Sequence, residues 1–83
     1  MSEVLEIIEN KRVRPYLEAR GLYKQYLKAK QILLSGDQIR VHFKERQPQD
    51  SGVWSFRVNK QFRAFGFFRS PGQFAVSKIN NHQ

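Results

Sequence analysis

Residues 52–69 read Gly-Val-Trp-Ser-Phe-Arg-Val-Asn-Lys-Gln-Phe-Arg-Ala-Phe-Gly-Phe-Phe-Arg, and this run decides the fold. From Val53 to Val58 the residues alternate, with Trp54, Phe56 and Val58 on an apolar face and Ser55 and Arg57 on the other, the period-two pattern of a half-buried strand. Asn59-Lys60-Gln61 can turn the chain tightly. The next strand, Phe62 to Phe68, then directs Phe62, Ala64 and Phe68 to the core and Arg63 away from it. Pairing two such strands brings Arg57 and Arg63 onto one surface.

Downstream, Ser70-Pro71-Gly72 is a turn before a further strand over residues 74–79. Upstream, Ile39, Val41 and Phe43 point one way while Gln38, Arg40, His42 and Lys44 point the other, which predicts a strand there too, followed by a turn-rich loop over residues 45–52. Before Gly36 the period changes to 3.6. Pro15 suits the first turn of a helix whose stripe runs through Tyr16, Ala19, Leu22, Tyr23, Tyr26, Leu27, Lys30, Leu33 and Leu34, with Gly36 as its stop. Ser2, Glu3 and Glu6 resemble a capped and acid-favoured first turn, and Val4, Leu5, Ile7 and Ile8 predict a short helix over residues 3–10. The expected architecture is therefore α+β. Two N-terminal helices pack on one face of a four-stranded antiparallel meander, in a single domain spanning residues 1–83.

Composition bounds the function. Fifteen Lys and Arg against seven Asp and Glu leave a net charge of +8 and a pI near 10.3, so a polyanionic partner is expected. An acidic protein would also satisfy that charge. With no Cys, disulfides, thiolate metal sites and cysteine nucleophiles are excluded. No apolar run approaches the roughly 20 residues of a membrane span, and acids near the N-terminus stand where a secretory signal carries bases, so cytoplasmic placement is expected. Glycine-rich phosphate loops, serine elbows and metal-ligand spacings are absent. After Asp37 the only carboxylate side chains are Glu45 and Asp50, which disfavours a Mg-dependent nuclease.

The candidate site is the outward face of the sheet. Arg57 and Arg63 repel each other unless an anion joins them, and a phosphate suits both. His42, Lys44, Arg46 and Lys60 extend the cationic surface, although solvated outward positions of a half-exposed sheet account equally well for Lys44 and Lys60. His82 is the side chain best able to exchange a proton near neutral pH.

The hairpin resembles the central hairpin of the RelE/ParE toxin superfamily, most clearly its HigB-like branch. In that branch an aromatic, Ser, aliphatic, Arg, aliphatic, Asn pattern leads to an aromatic-Arg pair, matched here by Trp54, Ser55, Phe56, Arg57, Val58, Asn59, Phe62 and Arg63. The family's last strand ends in an acid, an aromatic and a His. Here Asn80, Asn81 and His82 occupy that place, so the His is kept and the two residues before it are not. The helical half matches in character only, and a short N-terminal strand usual in the family has no counterpart in the reading above, which leaves a sheet of three to four strands. The resemblance implies a toxin held by a cognate antitoxin that cleaves mRNA on the ribosome without metal or other cofactor. Arg57 and Arg63 would stabilise the phosphate, His82 would move a proton, and His42, Lys44, Arg46 and Lys60 would bind RNA. On the same fold, a DNA gyrase inhibitor or a degenerate binding module are the alternatives.

Overall fold

A computed structural model describes residues 3–81. The chain runs β1 (Glu6–Glu9), α1 (Val13–Ala19), α2 (Tyr23–Leu34), β2 (Lys44–Glu45), β3 (Trp54–Arg57), β4 (Phe62–Ser70) and β5 (Gln73–Asn81). The fold is α+β, with two helices and a mixed five-stranded sheet in the order β1-β5-β4-β3-β2. The β2, β3, β4 and β5 contacts are antiparallel, whereas β1 lies parallel to β5.

That parallel strand replaces the helix expected over residues 3–10. The apolar residues there include β-branched Val4, Ile7 and Ile8, and an isolated helix of under about 12 residues is marginal in water. The backbone amides of Leu5 and Glu6 donate to the Gly72 carbonyl at 2.8 and 3.0 Å. This draws the segment against β5, with Val4 and Ile7 buried. Gly72 itself holds φ +81°, the conformation that lets Pro71-Gly72 close the β4–β5 turn.

The single helix expected from Pro15 onward is two. Gly21 takes φ +68°, its amide donates to the Glu18 carbonyl, and the Leu22 amide donates to the Leu17 carbonyl at 2.8 Å. This is a Schellman end, with Leu17 and Leu22 both in the core to close it. Gly36 ends α2 by the same device, as expected, with the Gly36 and Asp37 amides on the Leu33 and Ile32 carbonyls.

The strand expected over residues 39–43 is largely a series of turns, and only Lys44–Glu45 pairs as strand. Ile39 is 87% exposed while Val41 and Phe43 are buried. The chain is held there by the Phe43 amide on the Gln38 carbonyl and by the Arg57 amide on the Val41 carbonyl. Local closure thus outcompetes the alternating pattern.

The core lies between the helices and one face of the sheet. Leu17, Leu22, Tyr26, Ala29 and Leu33 meet Phe56, Ala64, Phe74, Val76 and Ile79. Stacked and edge-on rings of Phe43, Trp54, Phe68 and Phe74 extend it toward β2. The Tyr26 hydroxyl donates to Glu9 at 2.7 Å, and Lys30 pairs with the same carboxylate at 2.7 Å, tying α2 to β1. Burial and the adjacent Glu9 charge both push the Tyr26 hydroxyl well above the ordinary tyrosine range. None of the described helices is long and apolar enough to cross a membrane.

Candidate nucleic-acid interface

The face of the sheet away from the helices is built from two cross-strand rows. Strand register aligns Lys44 of β2, Ser55 of β3, Phe65 of β4 and Lys78 of β5 in one row. In the next row Arg57, Arg63 and Asn80 are aligned. The side chains of each row rise on the same side, because alternation sends their neighbours Phe56, Ala64 and Ile79 into the core.

Arg57 and Arg63 are direct cross-strand partners, as the hairpin pattern predicts. Partial burial biases the Arg63 guanidinium downward from its ordinary value, and the charges of Arg46 and Arg57 add to that bias. Arginine titrates so far above neutrality that Arg63 still carries its charge. Arg46 and Arg57 thus both lie close enough to Arg63 for their charges to act on it. Arg46, expected as an RNA-binding residue of the wider cationic surface, acts directly on Arg63. Neither ion pair among the described residues, Arg14–Glu18 and Lys30–Glu9, involves these arginines.

Beside the cluster, Ser55 is 0% exposed and its Oγ has no hydrogen-bond partner. The sequence pattern directs Ser55 outward, and it does sit on that side. Its cross-strand neighbours are Lys44 and Phe65. An unpartnered buried hydroxyl is costly to keep, and here it lies one cross-strand row from arginines that have no ion pair among the described residues.

Two residues of this face, Lys78 and Phe65, are not singled out by the sequence. Counting by twos from Phe74 would send Lys78 into the core. A bulge at Ser77 shifts the register between the Phe65↔Lys78 and Gly66↔Val76 pairs, and reverses the phase of everything beyond it. Lys78 thereby reaches the outward face and Ile79 the core. The signal in the sequence is the spacing of buried Val76 and Ile79, three apart rather than two. Gly66 faces the bulge, where a Cβ would run into the Ala75 backbone carbonyl. Phe65 follows the alternation directly, yet it stands out only once Arg46 and Lys78 are seen beside its ring.

The remaining expected residues are dispersed. His42 is exposed in the turn before β2, with φ 53°, so strand phase does not orient it. Lys60 is exposed at the tip of the β3–β4 turn, which the Asn59 side-chain oxygen closes by accepting from the Gln61 and Phe62 amides, each at 2.8 Å. His82 lies outside the described residues. Around the sheet edge, Arg57 also borders a shallow groove with Lys28, Arg40 and Asn59. Further along the outward face Phe67 is 46% exposed, and it lines a depression with Ile8, Ala75, Glu9, Ser77 and Arg69.

No protein-family profile matches this chain. No curated protein matches it either.

Proposed function

We propose that this protein is an RNA-cleaving toxin of the RelE/ParE type, in its HigB-like branch, which acts on ribosome-bound mRNA and is held inactive by a cognate antitoxin. The observation that carries this reading is the direct pairing of Arg57 with Arg63, joined by Arg46, around a buried hydroxyl without a partner. An RNA phosphate supplies the missing negative charge and the missing acceptor together.

The chemistry is phosphodiester transesterification. The 2′-oxygen attacks the adjacent phosphorus while its proton passes to a base, the bond to the 5′-oxygen breaks, and that oxygen takes up a proton. The products are a 2′,3′-cyclic phosphate and a 5′-hydroxyl. Charge accumulates on the non-bridging oxygens, where fixed guanidinium groups lower the barrier. His82 is the proposed proton carrier. Lys44, Arg46, His42 and Lys60 draw the strand to the face. The antitoxin supplies an acidic segment for the arginines and an apolar one for the exposed Phe67.

Primer extension on cellular mRNA after brief induction tests the reading. New in-frame 5′ ends are expected. Intact mRNA accompanied by double-strand breaks in DNA would replace cleavage with gyrase inhibition, and unaffected growth of a sensitive host would remove the toxin reading altogether.

A further inference from the structure

Among the described residues, Phe65 is the one aromatic of the sheet with cations over its ring. Phe43, Trp54, Phe56, Phe68 and Phe74 contact one another or Tyr26 on the helix side. Phe65 points to the opposite side, and among the described residues it touches no other ring. The Arg46 guanidinium carbon and the Lys78 ammonium nitrogen each lie 5.8 Å from its centroid. Elsewhere in the chain a guanidinium closes a ring face completely: Arg20 lies 3.6 Å from the centroid of Tyr16. At 5.8 Å the attraction is near its limit and long side chains swing away readily, so the half-buried Phe65 ring becomes available to a flat partner once these two cations move. Arg63 lies two residues away on the same strand and face, about 6.8 Å along the backbone, and Arg57 is beside it. An aromatic ring flanked by cations, one cross-strand row from a paired-arginine anion site, has the parts of a single-strand binding surface.

We propose that Phe65 is a stacking platform for one unpaired base of single-stranded RNA. The phosphate adjoining that base is held by Arg57 and Arg63, and Arg46 and Lys78 move off the ring to meet the flanking phosphates. Every base offers a π-face, so this contact sets the register of the strand on the site without selecting its sequence. The inference rests on the reading of this face as an RNA surface.

The test uses the full chain and two fluorescein-labelled RNA probes of equal length, one with bases throughout and one with abasic residues at its centre. Affinity is read by fluorescence anisotropy at low salt. Phe65→Ala and Phe65→Leu should bind the base-containing probe on the order of 5- to 150-fold more weakly, the range for loss of one stacked base. Both should bind the abasic probe as the wild type does, which also reports that they are folded, and Phe65→Tyr should retain wild-type binding of both. Ultraviolet crosslinking of a 5-iodouridine probe should attach to Phe65 within the tryptic peptide covering residues 64–69. Wild-type affinity of Phe65→Leu for the base-containing probe, or a crosslink confined to Phe67, overturns the platform while leaving the RNA surface in place. Failure of the wild type to bind either probe overturns both the platform and the reading beneath it.

Discussion

Replacing Ser55 by Ala should make the free protein more stable and the RNA-bound protein less so. The hydroxyl is fully buried and unpartnered, and leaving such a group unsatisfied costs about 1–3 kcal/mol. Removing one oxygen forfeits a few dispersion contacts, each worth about 0.1–0.2 kcal/mol, so a net gain near 1 kcal/mol is expected. For a chain of 83 residues, an unfolding entropy of roughly 2.1 cal/mol/K per residue totals ~170 cal/mol/K, and 1 kcal/mol then raises Tm by about 6 °C. Thermal unfolding followed by circular dichroism, with urea titration to confirm an unchanged m-value, measures this directly. The proposed RNA surface requires this hydroxyl to become exposed and donate to a phosphate oxygen on binding, so its loss should weaken RNA binding by about 1 kcal/mol, roughly fivefold. A lowered Tm would mean that the hydroxyl is satisfied in solution and carries no stored cost. A raised Tm with unchanged RNA affinity would remove Ser55 from the site.

The proposed site and the packing around it predict further losses. Arg57→Ala should slow single-turnover cleavage on programmed ribosomes on the order of 100-fold, as loss of one oxyanion donor does, and His82→Gln by about as much; full activity in either variant removes that residue's role. Gly66→Ala should destabilise by about 3 kcal/mol or more in urea unfolding, because the new methyl group meets backbone at the Ala75 carbonyl rather than a movable side chain. Burial and Glu9 raise the Tyr26 hydroxyl above its unfolded value, so the folded state keeps a proton that the unfolded state releases above about pH 10. The stability from that proton is complete below pH 10 and declines above it, by up to about 1.4 kcal/mol per pH unit. Urea midpoints between pH 8 and 11 should show this decline in the wild type and a shallower one in Tyr26→Phe.

The arginine pair was legible in the sequence because it depends on short-range regularities only: alternation within β3 and β4, and a turn short enough to fix their register. Asn59 makes that turn reliable by capping the Gln61 and Phe62 amides. The first strand was not legible for the opposite reason. Val4, Leu5, Ile7 and Ile8 fit a helical stripe as well as a strand, and the choice is made by a carbonyl at Gly72 and by β5, far away in the sequence. Residues 39–43 fail similarly, since alternation is necessary for a strand but a partner is also required, and β3 is paired there through a single Arg57 to Val41 bond.

The bulge at Ser77 links fold to site more tightly than either arginine does. Without it, the phase of Phe74 and Val76 would continue and bury Lys78, a cation with no carboxylate opposite it, while Ile79 would be turned to solvent. With it, Ile79 joins the core at 6% exposure and Lys78 stands beside Phe65. The Ser77 hydroxyl donates to the Phe65 carbonyl at 3.1 Å, joining the bulged residue to the opposing strand. Gly66 faces the same irregularity because only a residue without Cβ tolerates the Ala75 carbonyl there. A backbone defect whose accommodation requires a specific glycine is therefore what completes the row of Lys44, Ser55, Phe65 and Lys78. It also separates the arginine row from the exposed Phe67, since the bulge falls between Phe65↔Lys78 and the Phe67↔Ala75 pair.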